Sequence, residues 1–233
     1  MEPMKTFVVV ALFAACGGSS GTGGADAPSN VPAMITLSGT ASEQTTSGGG
    51  PGSGAAITVY RSSDPTTAVG SATADGSGNF SITVTTNGQP VDGFLMATRT
   101  GDTDSYLYPS APLVADFTMA SVNLVTTSTF SFFSAFGQNP GMGIIVLEVQ
   151  DATGMTVAGA SVTSTPAATK TGYTGTGGLP DTTATVTATD GRAYLFNLPA
   201  GQVTLNATLT GATFKSHAVD ARADVFTTTV VTE

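Results

Sequence analysis

The sequence predicts an all-β protein made of two tandem antiparallel β-sandwiches, joined by a short connector that can be helical. Three observations predict it. Short runs of alternating apolar and polar residues recur along the chain, with turn residues about every ten positions, as sandwich strands require. The stretch Asp190-Gly-Arg-Ala-Tyr-Leu-Phe-Asn-Leu-Pro-Ala-Gly201 reads as turn, strand, turn, and in the run after it Val203, Leu205, Ala207 and Leu209 alternate strictly with polar residues. The two halves of the chain also echo each other in the order of their motifs.

Taken in order, Met34 to Gly39 is a short strand, and the Gly/Ser/Thr segment that follows to Gly54 is a long loop. Ala55 to Tyr60 is a second strand, Arg61 to Thr67 carries turn residues, and Ala68 to Thr73 is a third strand. Asp75-Gly-Ser-Gly-Asn79 is a turn, since glycine accepts positive φ and aspartate bonds its own backbone. Phe80, Ile82 and Val84 then alternate with polar residues, Asn87-Gly88 marks a reversal, and Phe94 to Thr98 is a further strand. Tyr106 to Thr126 suits two short strands. Phe130, Phe133 and Phe136 are spaced for one helical face, with Ser128 as a cap and Gly137 and Pro140 as stops, although the aromatic content also suits a strand. In the second half, Gly143 to Val149, Val157 to Val162, Ala184 to Ala188, Ala193 to Leu198, Ala212 to Val219 and Val225 to Thr232 read as strands, and Gly172 to Asp181 as a Gly-rich loop.

Gly54-Ala-Ala-Ile-Thr-Val59 parallels Gly159-Ala-Ser-Val-Thr163, and Thr73 to Phe80 parallels Thr187 to Tyr194. The expected organisation is a first sandwich at 33–127, a connector at 128–141 and a second sandwich at 142–233. The second copy resembles the carboxypeptidase regulatory-like domain, a transthyretin-like sandwich. The matching residues are Val149-Gln-Asp-Ala-Thr-Gly154, Val157-Ala-Gly-Ala160 with Val162, Thr187, Gly191 and Leu198-Pro-Ala-Gly201. The first copy matches only through Gly54-Ala55 and Thr73 to Phe80, and lacks an Asp-x-x-Gly turn after its first strand. The resemblance implies a transthyretin-like or Ig-like architecture and an accessory domain without catalytic residues of its own.

The N-terminus suggests a location. Met4-Lys5 precedes an apolar run, Phe7 to Ala15, about half of the roughly 20 residues a spanning helix needs. The single cysteine, Cys16, stands where this secretory signal (1–15) should end, and a Gly/Ser-rich tether (16–32) follows. Leu12-Phe-Ala-Ala-Cys16 resembles the lipobox of bacterial lipoproteins, with Phe13 where that family favours Leu. The resemblance implies a lipid on the Cys16 thiol, membrane attachment through it, and placement in the cell envelope, at the outer membrane.

With a formal net charge of −9, the chain is a poor match for nucleic acid, whose affinity comes largely from Lys and Arg on phosphates. The single histidine, His217, lies in a predicted strand, where Ser216 and His217 would point to opposite faces, so a triad with Asp220 does not assemble. One histidine also cannot fill the usual zinc sets, or the paired Tyr and His iron set of the intradiol dioxygenases, which share a related sandwich. No catalytic residue and no cofactor is assigned. Asp75, Ser77 and Asn79 form a weak calcium candidate that lacks the closing glutamate. Tyr173, read as a loop residue, is the candidate platform for a glycan, because starch-binding-like modules share the sandwich and sugars stack on aromatic faces. The expectation is a non-catalytic envelope module that meets an envelope protein, with carbohydrate binding as the alternative.

Overall fold

The computed structural model describes residues 31–233. The signal segment, Cys16 and the tether as far as residue 30 lie outside the described residues. The first half contributes β1 (Met34–Thr45), β2 (Gly48–Pro51), β3 (Ala56–Arg61), β4 (Asp64–Thr73), β5 (Asn79–Thr85), β6 (Gly93–Thr98), β7 (Asp102–Thr103), β8 (Ser105–Tyr108) and β9 (Phe117–Thr126). A short helix, α1 (Thr127–Phe132), continues into a 3-10 turn (Phe133–Phe136). The second half contributes β10 (Gly143–Gln150), β11 (Ser161–Thr165), β12 (Lys170–Thr174), β13 (Pro180–Asp181), β14 (Arg192–Leu198), β15 (Gly201–Thr208), β16 (His217–Ala221) and β17 (Phe226–Thr232).

The protein is mostly β-sheet, as expected, but the halves do not stand as separate antiparallel sandwiches. Strands of both enter one nine-stranded sheet in the order β13-β12-β14-β10-β17-β8-β6-β3-β4. The join is β17, which runs parallel to β10 on one side and to β8 on the other. A third parallel pair, β1 with β9, lies in the five-stranded sheet formed by β1, β2, β5, β7 and β9. The remaining strands form a three-stranded sheet, β11-β15-β16.

The two smaller sheets pack on opposite faces of the large one. Adjacent residues of a strand point to opposite faces. Leu95 and Leu107 enter the core shared with Leu37, Ile82 and Leu124 of the five-stranded sheet. Their neighbours Phe94 and Tyr108 join the core shared with Val203, Leu205 and Val219 of the three-stranded sheet. The same division splits β17, where Val230 belongs to the first core and Val231 to the second. In the second half, the face not covered by the three-stranded sheet holds a third cluster, in which Phe133 packs against Ile144, Val146, Phe196 and Phe226.

This third cluster explains the phenylalanine stripe. Thr126, rather than Ser128, caps α1, with its hydroxyl accepting from the Thr129 N–H. Gly137, at φ +99°, ends the 3-10 turn. Asn197 then holds the connector down. Its side chain accepts from the Asn139 N–H at 2.6 Å and donates to the Gly137 carbonyl at 2.8 Å.

Two of the predicted turns are twins. Asp75 accepts from the N–H groups of Ser77 (2.8 Å) and Asn79 (2.9 Å), and Asp151 does the same with Thr153 (2.8 Å) and Met155 (3.0 Å). The fourth residue of each, Gly78 or Gly154, has φ +83°.

Other expectations need correcting. The long loop before Gly54 is instead a continuation of β1 to Thr45 and a hairpin into β2. The turn before Thr67 already belongs to β4. Ala184 to Ala188 is not a strand, because its backbone is engaged elsewhere: the Thr187 N–H donates to the Ala160 carbonyl and the Gly159 N–H to the Thr187 carbonyl. The strand expected over Val157 to Val162 begins at Ser161, and that over Ala212 to Val219 begins at His217.

Gly39 marks the tightest point of the five-stranded sheet. A β-carbon there would lie 1.9 Å from the Ala120 carbonyl oxygen, next to a register shift in which Met119 takes φ +74°. Gly39→Ala is therefore expected to destabilise the fold by about 3 kcal/mol, because the obstacle is backbone and cannot rotate away. A urea titration would show this as a lowered midpoint at unchanged slope; an unchanged midpoint would contradict it.

Candidate functional site

The most heavily built feature is the junction of the two halves. β8 and β17 pair over four registered positions, from Ser105 opposite Phe226 to Tyr108 opposite Thr229. Two threonines of β17 reinforce the ladder: Thr228 Oγ1 donates to the Tyr106 carbonyl at 3.1 Å and Thr229 Oγ1 to the Tyr108 carbonyl at 3.0 Å. These hydroxyls sit in a buried strand because carbonyls are there to take them.

On the face turned toward the three-stranded sheet, β3, β6 and β8 present a row of aromatic rings. Phe94 lies 5.5 Å from Tyr60, 5.4 Å from Tyr106 and 5.2 Å from Tyr108, centroid to centroid. Arg222, from the segment between β16 and β17, lays its guanidinium over this row, 4.2 Å from the Tyr106 ring and 4.7 Å from Phe94. Its Nη1 donates to the Tyr108 hydroxyl at 2.7 Å, and its Nη2 lies 3.5 Å from an Asp220 carboxylate oxygen. Burial pushes the Tyr108 hydroxyl up to about 12, against the opposing pull of Arg222. The arrangement can grip: it combines stacking, a charge-assisted hydrogen bond and a strand ladder. Sequence reading missed Arg222, since nothing local marks it and its partner Tyr108 lies 114 residues away.

The residues singled out from the sequence fall elsewhere. Tyr173 is not a loop residue but lies in β12, is 4% exposed, and accepts from the Val162 N–H through its hydroxyl at 2.9 Å. Its ring is part of the second core, so it offers no stacking face. Asp75, Ser77 and Asn79 do lie together, but the Asp75 carboxylate is taken up by its own turn. The Asn79 and Ser77 N–H groups hold it below the usual carboxylate range. Among the described residues no three His, Cys, Asp or Glu side chains gather as a metal site.

His217 opens β16 and is half-buried. Desolvation lowers its pKa, with Asp92 opposing. Ser216 is exposed, and Asp220 is engaged with Tyr108 and Arg222. Glu148 is buried on β10, directly across from Arg192 of β14. Burial raises its pKa, while a hydrogen bond from Gln150 and the charge of Arg192 act the other way.

Two hollows accompany these features. One is a narrow apolar cleft with room for only about 10 Å³, between Phe132 and Phe133 on one side and Leu179 and Pro180 on the other. The second is an open hollow of about 640 Å³ at the end of the three-stranded sheet, lined by Ser161, Thr208, Thr210, Thr213, Leu209 and Phe214.

No protein-family model matches the chain, and no curated protein matches it. Among solved structures, the shaft pilin SpaA from Lactobacillus rhamnosus GG aligns with 85% of this chain and 97% of its own, at 13% identity and a TM-score of 0.26. The minor pilin GBS52 of Streptococcus agalactiae aligns with 85% of this chain and 96% of its own, at 12% identity and a TM-score of 0.27. The Bacillus anthracis TIE protein aligns over 85% of this chain and 34% of its own, at 13% identity and 0.26.

Arg222→Ala is expected to destabilise the protein by about 2 kcal/mol, and Arg222→Lys to recover little of it, because only the planar guanidinium both stacks and donates in this geometry. Chemical denaturation of both variants tests this; full rescue by lysine would refute it. Tyr108 holds its proton more tightly in the folded chain than at the ordinary value of 10.0. The folded state therefore binds more protons than the unfolded one between about pH 10 and pH 12, and stability should fall as pH rises through that window. Tyr108→Phe should flatten that part of the stability profile; an identical alkaline slope in both proteins would contradict the assignment.

Proposed function

We propose that this protein is a non-catalytic, lipid-anchored module of a bacterial cell envelope, held at the outer membrane through Cys16, which presents a rigid β-structure to another envelope protein. The observation that carries this reading is the unbroken nine-stranded sheet through both halves, clamped by Arg222. A body in which the last strand is shared between both halves resists hinge motion, which suits a spacer or scaffold. The position of Cys16 at the end of an apolar leader supports the anchor. A single acyl chain gives only marginal attachment, so stable anchoring needs more than one.

The alternative is a carbohydrate-binding surface module. The open hollow beside Phe214 favours it, since four hydroxyl-bearing side chains and one aromatic ring line that space. Glycan-array binding that disappears in Phe214→Ala would select this reading, and an array without signal would remove it.

Mass spectrometry of the protein from its own host should find residues 1–15 removed and Cys16 carrying lipid. Cys16→Ala should shift the protein from the membrane fraction to the soluble one. An unmodified thiol or a retained leader would overturn the anchor. Affinity capture from the native envelope should then return a reproducible protein partner that is insensitive to added sugars.

A further inference from the structure

The nine-stranded sheet has two ends of very different character. At one end β13 is only two residues long, too short to template another strand. At the other end β4 runs for ten residues, Asp64–Thr73, and pairs on one side only, with β3. An edge strand exposes a row of unpaired N–H and C=O groups, and chains usually guard such edges with lysine, proline, bulges or brevity. β4 carries two of these guards, Pro65 at its start and a bulge where Tyr60 of β3 meets Ala68, and the Asp64 carboxylate accepts from the Thr66 and Thr67 N–H groups, so the open stretch is Ala68–Thr73. From Ala68 to Thr73 neither proline nor a charged side chain appears. Thr66, Thr67, Ala68, Ser71 and Thr73 are exposed, while Val69 and Ala72 pack against the first core and hold the strand in place. Gly70 lets the strand sit close to β5, where a β-carbon would lie 2.6 Å from the Thr83 carbonyl.

We propose that β4 is a self-association edge whose partner is the β4 of a second copy, paired antiparallel about a twofold axis. The strand is self-complementary in this arrangement. Its only charge, Asp64, lies at the outer end, so the two copies bring no like charges together. Small Ser, Thr and Ala side chains allow close approach and cross-strand hydroxyl contacts. A twofold interface closes on itself, so the product is a dimer rather than a fibre. The dimer joins two nine-stranded sheets edge to edge. This inference goes beyond the envelope-module reading and does not depend on the anchor.

Sedimentation velocity of the full chain in a mild detergent tests it. The wild type should pass from monomer to dimer as concentration rises. Ala68→Lys with Ser71→Lys should raise the dissociation constant at least about tenfold, because the added charges face each other about 5 Å apart across the new ladder. The matching pair Ala68→Glu with Ser71→Glu should also be monomeric alone, and mixing the two variants should restore the dimer. A wild type that stays monomeric throughout, or a lysine variant that dimerises like the wild type, would overturn the proposal. If the charged variants lose their far-UV spectrum, the double variant Ala68→Cys with Ser71→Cys in a Cys16→Ser background decides, because in this register residue 68 of one copy lies opposite residue 71 of the other. Disulfide-linked dimers forming on oxidation support the β4 pairing, and their absence rejects it.

Discussion

Everything in this fold leans on where β17 sits. It is the last strand of the described chain, yet it occupies the middle of the largest sheet, with β10 and β8 as parallel neighbours. Phe226 to Val231 are all buried, three threonines among them. A strand in that position contributes to every core at once: Phe226 to the cluster under α1, Val230 to the first core and Val231 to the second. Like β6 and β8, β17 offers an apolar side to each of the two smaller sheets, which lie on opposite faces.

That placement also decides what the aromatic row is for. Tyr60, Phe94, Tyr106 and Tyr108 line a sheet face that the five-stranded sheet leaves uncovered. In isolation the row would be a sticky apolar surface. The guanidinium of Arg222 and the edge of the three-stranded sheet cover much of it, so the same rings that could have met a ligand serve to seat one half on the other. The low charge of the chain fits such a body: Arg99 ties Glu43 to Asp102 at 2.7 Å each, and Arg222 is engaged at the junction.

Much of the fold was legible wherever a strand has one wet face. The alternation of β5 and β15, the turns at Asp75, Asp151 and Asp190, and the phenylalanine spacing of the connector all follow from local rules. What stayed hidden was long-range. Gly143–Gln150 and Arg192–Leu198 are buried along their whole length, so no alternation betrays which neighbours they have. The Gly/Ser/Thr run after Thr40 pairs with β2 and β9 largely through its backbone, and composition cannot reveal that. Tyr173 was misplaced because glycines at 172 and 175 suggested a loop, whereas Gly172 instead makes room for the Phe196 ring. Of the candidate site, the Arg222 grip was not readable, since its two sides lie in different halves of the chain.

The distance in sequence between β8 and β17 has a consequence for how the chain is made. Thr229 meets Tyr108 across 121 residues. A polypeptide delivered from its N-terminus must present Ser105–Tyr108 as a bare edge until nearly the whole second half has emerged. During that interval the growing chain has an open docking slot that only its own tail is meant to fill. Factors that shelter unfinished chains would find their footing there, and a strand borrowed from elsewhere could arrest maturation before the tail arrives.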